Sequence, residues 1–146
     1  MTERLLRVRT GRQPHEVAIL VASVALGIVG TVLPQRISPA IAAEFDMFWG
    51  RAFWIALVLF AGVTLYGIYR RRIEGLLIER AGLTVMAALY GTYIYASLAV
   101  NGLDGVTSIA LPLSFVVANL ARCWQIRTDL VLMSSYLKEH PGVDLR

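Results

Sequence analysis

AFWIALVLFAGVTLYGIYRRR, residues Ala52–Arg72, sets eighteen uncharged residues directly against three arginines. A helix rises about 1.5 Å per residue and the hydrocarbon core of a bilayer is about 30 Å thick, so roughly 17–25 apolar residues carry a helix across it. Ala52–Tyr69 meets that length without an ionisable side chain, and Arg70, Arg71 and Arg72 mark where the chain returns to water.

Three further runs qualify: Val17–Leu33 (VAILVASVALGIVGTVL), Ala81–Val100 (AGLTVMAALYGTYIYASLAV) and Gly105–Ala121 (GVTSIALPLSFVVANLA). The last is the least regular, with Pro112 and Asn119 inside it and Asp104 at its edge. Hydrocarbon offers no hydrogen-bond partners, so each run must satisfy its own backbone, which means helix; four such runs cannot close a barrel. Composition agrees. Hydrophobic residues make up 57% of the chain, charged residues 16% against roughly 25% in soluble domains, and the mean hydropathy is +0.62. That balance excludes a disordered chain, a disulfide-stapled secreted domain and an ordinary water-soluble enzyme. The expected fold is all-α: an integral membrane four-helix bundle, a single domain over residues 1–146. Its spans fall at about 17–33, 52–69, 81–100 and 105–121, and an amphipathic helical extension occupies a cytoplasmic tail, 122–146.

The net charge of +4 and pI near 9.6 would suggest nucleic acid in a soluble chain. Here the basic residues fall between apolar runs and act as topology signals. Arg4, Arg7, Arg9, Arg12, Arg70, Arg71, Arg72, Arg80, Arg122, Arg127, Lys138 and Arg146 lie on one side of the threading, and only Arg36 and Arg51 on the other. Positive residues stay in the cytoplasm, so both termini are expected inside, in the cytoplasmic membrane, with 34–51 and the Asn101–Asp104 turn outside. Arg70, Arg71, Arg72, Arg80 and Arg122 are the expected headgroup contacts. A competing reading is a signal peptide ending at Ala40-Ile41-Ala42, which would remove residues 1–42. Against it, the apolar run exceeds the usual 7–15 residues of such a core, and Arg36 interrupts the stretch before the site.

In the outer segment PQRISPAIAAEFDMFWGR, Ser38-Pro39 reads as an N-cap followed by proline at the first helical position. A short helix Pro39–Phe48 would place Ile41, Phe45 and Phe48 on one face, lying along the outer membrane surface. Trp49, Trp54 and Trp124 are expected interface anchors, since indole is half apolar and its N–H seeks water. The inner loop RRRIEGLLIER would rest Ile73, Leu76 and Leu77 on lipid. Ser23 with Gly27, and Ala87 with Gly91, form small-xxx-small pairs, and Tyr90 and Tyr93 add hydroxyls. Such residues let membrane helices approach closely, either within one chain or between copies. In the tail, Cys123, Ile126, Leu130, Met133 and Leu137 follow a 3, 4, 3, 4 spacing, an apolar seam that would pack on the inner loop, on lipid or on a second copy. Pro141-Gly142 would stop that helix.

No run carries an ionisable residue in its interior, which argues against a proton-coupled pump. A single cysteine and two distant histidines, His15 and His140, give no metal or haem spacing. No nucleophile elbow or phosphate loop is present. No catalytic residue, cofactor or metal is expected.

The Pro14-His15-Glu16 opening, IERAGL (Ile78–Leu83) leading into the tyrosine-bearing third run, and RCWQI (Arg122–Ile126) closing the fourth sit on a small four-span layout with both ends inside. Together they resemble the four-span holin-like membrane proteins of bacteriophages infecting actinobacteria. The similarity covers most of the chain as a layout. It implies a non-enzymatic, homo-oligomeric membrane protein that opens a lesion and releases a muralytic enzyme, and it transfers no functional residue. Two other expectations stay open: a membrane anchor engaging a partner protein through its tail (122–146) or outer segment, and a small-solute channel.

Overall fold

The computed structural model describes residues 14–70 and 73–139, and among them the chain is helical throughout, with no strand. The elements are α1 (Pro14–Val32), α2 (Pro34–Ile37), α3 (Pro39–Glu44), α4 (Met47–Tyr69), α5 (Ile73–Asn101), a 3₁₀ turn (Gly102–Gly105) and α6 (Val106–Glu139). Among the described residues, four helices are long and apolar enough to cross a membrane: α1, α4, α5 and the Val106–Ser135 portion of α6. This is the layout expected of a multi-pass membrane protein. Arg4, Arg7, Arg9, Arg12, Arg71, Arg72, Arg146 and the Pro141-Gly142 stop lie outside the described residues.

Each apolar run coincides largely with a helix that extends beyond it at one or both ends. α4 begins five residues before Ala52, and α5 eight residues before Ala81. Hydropathy locates the part of a helix that needs oil, whereas its backbone hydrogen bonds continue into polar flanks. The inner segment from Ile73 onward is therefore helix rather than loop: Ile73, Leu76 and Leu77 already belong to α5, with Ile73 and Leu77 exposed. The hairpin is tight because Gly67 and Gly75 face each other. A Cβ on Gly67 would stand 2.9 Å from the Gly75 carbonyl oxygen, and one on Gly75 would stand 2.8 Å from that of Gly67. At the other end Gly102 turns the chain with φ +54°, a conformation that glycine adopts without strain. α6 passes through Pro112 without a break.

α1 packs on α4, α4 on α5, and α5 on α6, each along its length. The core lies among the first three of these helices: Leu20, Phe53, Trp54, Leu57, Ala61, Met86, Tyr90 and Ala96 are buried together with Ile41 of α3. Ser38 caps α3, its hydroxyl accepting from the Ile41 N–H at 3.2 Å. That helix ends at Glu44, and Phe48 belongs to α4, where it is exposed. Ile41 is fully buried and Phe45 half-buried against the core. The expected surface-lying helix is thus a short plug tucked onto α5, because Ile41 gains more burial between helices than along an interface.

Outward, Val21, Leu26, Ile28 and Val29 of α1, Ile55 and Leu59 of α4, and Leu111, Leu113 and Val117 of α6 are exposed. Apolar surface this extensive is foreign to a soluble monomer and suits contact with lipid.

Candidate functional site

Charged side chains from three helices meet at one end of the molecule. The Arg122 Nε of α6 donates to Glu79 Oε1 of α5 at 2.9 Å and stands 3.7 Å from Glu16 Oε2 of α1. All three side chains are largely shielded, Glu79 most of all. Two carboxylates face one guanidinium, so the cluster carries a negative charge in excess when both are ionised. In a low-dielectric setting such a triad ties helices together strongly once formed, and removing one member leaves an unpaired charge.

These residues stand at the edges of the apolar runs: Glu16 just before Val17, Glu79 two positions before Ala81, and Arg122 just after Ala121. A chain that reverses direction at each span brings those three run ends to the same side. The charge-free interiors of the runs give no sign of them. Pairing opposite charges at run ends assigned to one side would have found the cluster.

Beside it a groove of about 150 Å³ opens between α1 and α6. His15, Glu16, Ile19 and Leu20 form one wall, and Ala118, Asn119, Ala121, Arg122 and Gln125 the other. Two side-chain atoms of these residues, Glu16 Oε1 and Asn119 Nδ2, are shielded from the groove itself and have no hydrogen-bond partner within the protein. Among the described residues no His, Cys, Asp and Glu cluster could hold a metal ion.

The residues singled out from sequence divide sharply. Ser23 and Gly27 pack inside the molecule, as do Ala87 and Tyr90. The Ser23 hydroxyl donates to the Ile19 carbonyl at 2.7 Å and lies 2.5 Å from the Tyr90 hydroxyl, joining α1 to α5. Tyr90 also meets Phe115 of α6 edge-on. Tyr93 is half-buried against the core. Gly91 differs: a Cβ there would meet nothing within 4 Å.

Among the tryptophans, Trp49 and Trp124 are exposed, as interface anchors require. Trp54 is a correction. It is only 4% exposed and lies over Gly30 of α1, which has no room for a Cβ. Residue type suggested the interface, but the gap above Gly30 draws the ring inward. Of the arginines, Arg70 pairs with Glu74 at 2.6 Å and with the Tyr66 hydroxyl at 2.9 Å, Arg80 is partly exposed, and Arg122 is engaged in the cluster.

The tail seam begins as a continuation of α6. Cys123 contacts the Arg80 carbonyl and the Thr84 hydroxyl of α5, and Ile126 is fully buried, while Leu130 and Met133 are partly exposed. The side chain of Leu137 lies outside the described residues.

No protein-family model, curated protein or solved structure matches the chain.

Proposed function

We propose that the chain is a non-enzymatic protein of the cytoplasmic membrane, threaded as a four-helix bundle with both termini in the cytoplasm, which assembles laterally with copies of itself and permeabilises the membrane in the manner of a holin. The observation that carries this reading is the bareness of α6. Only 11% of its spanning window is buried, against 22%, 28% and 33% for α1, α4 and α5. Its exposed positions include Thr107, Ala110 and Ser114, small residues at helical spacing that admit a neighbouring backbone.

This reading moves the assembly surface. Ser23, Gly27, Ala87 and Tyr90 are engaged within the chain, so lateral contact passes to α6 and to the outward side of α5 at Gly91. Hydroxyls on α6 (Thr107, Ser108 and Ser114) would line a lesion without placing a charge in oil.

The test is induced expression in a bacterial host together with a cytoplasmic endolysin. Collapse of membrane potential followed by lysis supports the proposal; intact potential and no endolysin release at high expression remove it. A Ser114→Cys variant in a Cys123→Ala background adds a direct readout. Disulfide-linked dimers form in membranes if α6 faces its counterpart.

A further inference from the structure

We infer that the outward side of α6 forms a parallel, in-register helix pair with α6 of a second copy, and that the pair continues past the membrane along the part of α6 beyond Arg122. The inference rests on the lateral self-association proposed above, but not on permeabilisation.

α6 carries a seven-residue repeat that its own packing leaves exposed. Thr107, Ser114, Ala121, Thr128 and Ser135 recur every seven positions, all of them small and all exposed. Ala110, Val117, Trp124 and Val131 follow three positions after each of the first four and are exposed as well. Asn119 and Ile126, on the opposite side of the helix, are buried, and Arg122 and Cys123 reach α5. A 3, 4 alternation sustained over four heptads is the spacing by which two helices pack along their length, and small residues in one line let the backbones approach.

Lipid can cover the first half of this seam but not the second. Arg122, tied to Glu79 and Glu16, marks the end of the apolar span. Val131 stands nine positions further on, about 13 Å along the axis, whereas the headgroup layer outside the hydrocarbon is about 5–7 Å deep. Arg122–Glu139 holds no proline or glycine and the helix is unbroken there, so this part keeps the direction of the span and does not fold back onto the membrane surface. Yet Val131 is 56% exposed and Leu132 63%. Apolar side chains held out in water in this way call for a protein surface.

A second copy supplies that surface. Every copy threads the bilayer in one direction, so the repeats of two copies run parallel and lie at equal depth. The 34 residues of α6 extend about 51 Å, and a contact strip about 10 Å wide covers roughly 500 Å² on each copy, about 1,000 Å² in all, which reaches the size of a specific interface. The two lines of the seam bear no charge, so copies meet without repulsion. Arg127 stands beside the seam, its guanidinium 6.0 Å over the Trp124 ring.

The test uses the full-length protein in membranes, with Cys123→Ala removing the native thiol and one cysteine at a time replacing Thr128, Val131, Ser135, Leu132 or Ser134. All five positions are exposed, so chance collision links them alike. In a parallel pair Thr128, Val131 and Ser135 each meet their own counterpart, whereas Leu132 and Ser134 flank the seam and stand away from theirs. Oxidation should give about fivefold more disulfide-linked dimer at the first three positions than at the last two. An antiparallel pair would link at no more than one of the three. Val131→Glu, an exposed change outside lipid that leaves the single chain intact, should lower the dimer yield from Ala121→Cys by about tenfold. Equal yields at all five positions, no dimer at any, a single linked position, or an Ala121→Cys yield indifferent to Val131→Glu overturns the inference; absence of dimers would assign the face to lipid or to another protein. Seam-specific dimers without loss of membrane potential keep the pair and remove the holin reading. Loss of potential with dimers from Ser114→Cys but none from 128–135 keeps that reading and removes the pair.

Discussion

Arg122 Nε donates to Glu79 Oε1 across 2.9 Å, a bond that joins α6 to α5 over a separation of 43 positions. With Glu16 Oε2 at 3.7 Å the same guanidinium also reaches α1. α6 has little other purchase on α1, so this contact sets how far the groove between them stands open. Replacing Arg122 by leucine would strand two shielded carboxylates and should destabilise the fold by about 3–5 kcal/mol. The triple replacement Glu16→Gln, Glu79→Gln, Arg122→Met should fold nearly as well as the parent, because desolvation of the charges offsets much of their attraction. Unfolding by detergent titration, followed by circular dichroism, checks both; equal loss in the single and triple variants would contradict the argument.

The contact of Trp54 with Gly30 gives a second expectation. There is no space for a methyl group between the Gly30 backbone and the indole ring, so Gly30→Ala must push α1 away from α4 or turn the ring from its place. Overpacking of this kind is worth about 1–3 kcal/mol. Gly62→Ala meets open space and should be neutral or slightly stabilising. Thermal melting of the two variants in the same detergent separates them.

How far these contacts could be read from the sequence depended on distance along the chain. The four runs were plain because charge-free length is a local property, and the Ser38 cap and Gly102 turn were local too. Helix ends were not, since hydrogen bonding ignores the boundary between oil and water; α5 therefore starts at Ile73, well before its run. Trp54 was misplaced because its neighbour Gly30 is remote in sequence, and nothing in the type of either residue announces the other. Ser23 and Tyr90 were legible as packing residues, but not as partners. The triad was within reach, since its members flank runs that end on one side, yet an arginine at a run end reads first as a headgroup contact, as Arg122 did.

Ser23 and Tyr90 supply a third prediction. Their hydroxyls lie 2.5 Å apart in the interior, and Ser23 keeps a bond to the Ile19 carbonyl whatever Tyr90 does. Tyr90→Phe should therefore be mild. A double-mutant cycle with Ser23→Ala should give a coupling near the roughly 0.6 kcal/mol usual for polar pairs between membrane helices. Tyr90→Ala also forfeits the ring packed on Phe115 and should lose about 3–5 kcal/mol. A Tyr90→Phe variant as damaged as Tyr90→Ala would show that the hydroxyl, rather than the ring, holds α1 to α5.

Gly91 separates folding from assembly. Its neighbour in the sequence motif, Ala87, is buried inside the molecule, but a side chain at Gly91 would enter open space. Within a single chain, Gly91→Leu should leave stability unchanged, and its greater helix propensity opposes any loss. Between copies the same leucine would hold backbones apart where small residues let them meet. The expected outcome is an unaltered melting curve for the monomer together with fewer cross-linked oligomers in membranes and delayed loss of membrane potential on expression. A melting curve shifted downward would mean that Gly91 packs within the chain; unchanged melting with unchanged cross-linking would take this face of α5 out of the assembly and leave α6 to carry it alone.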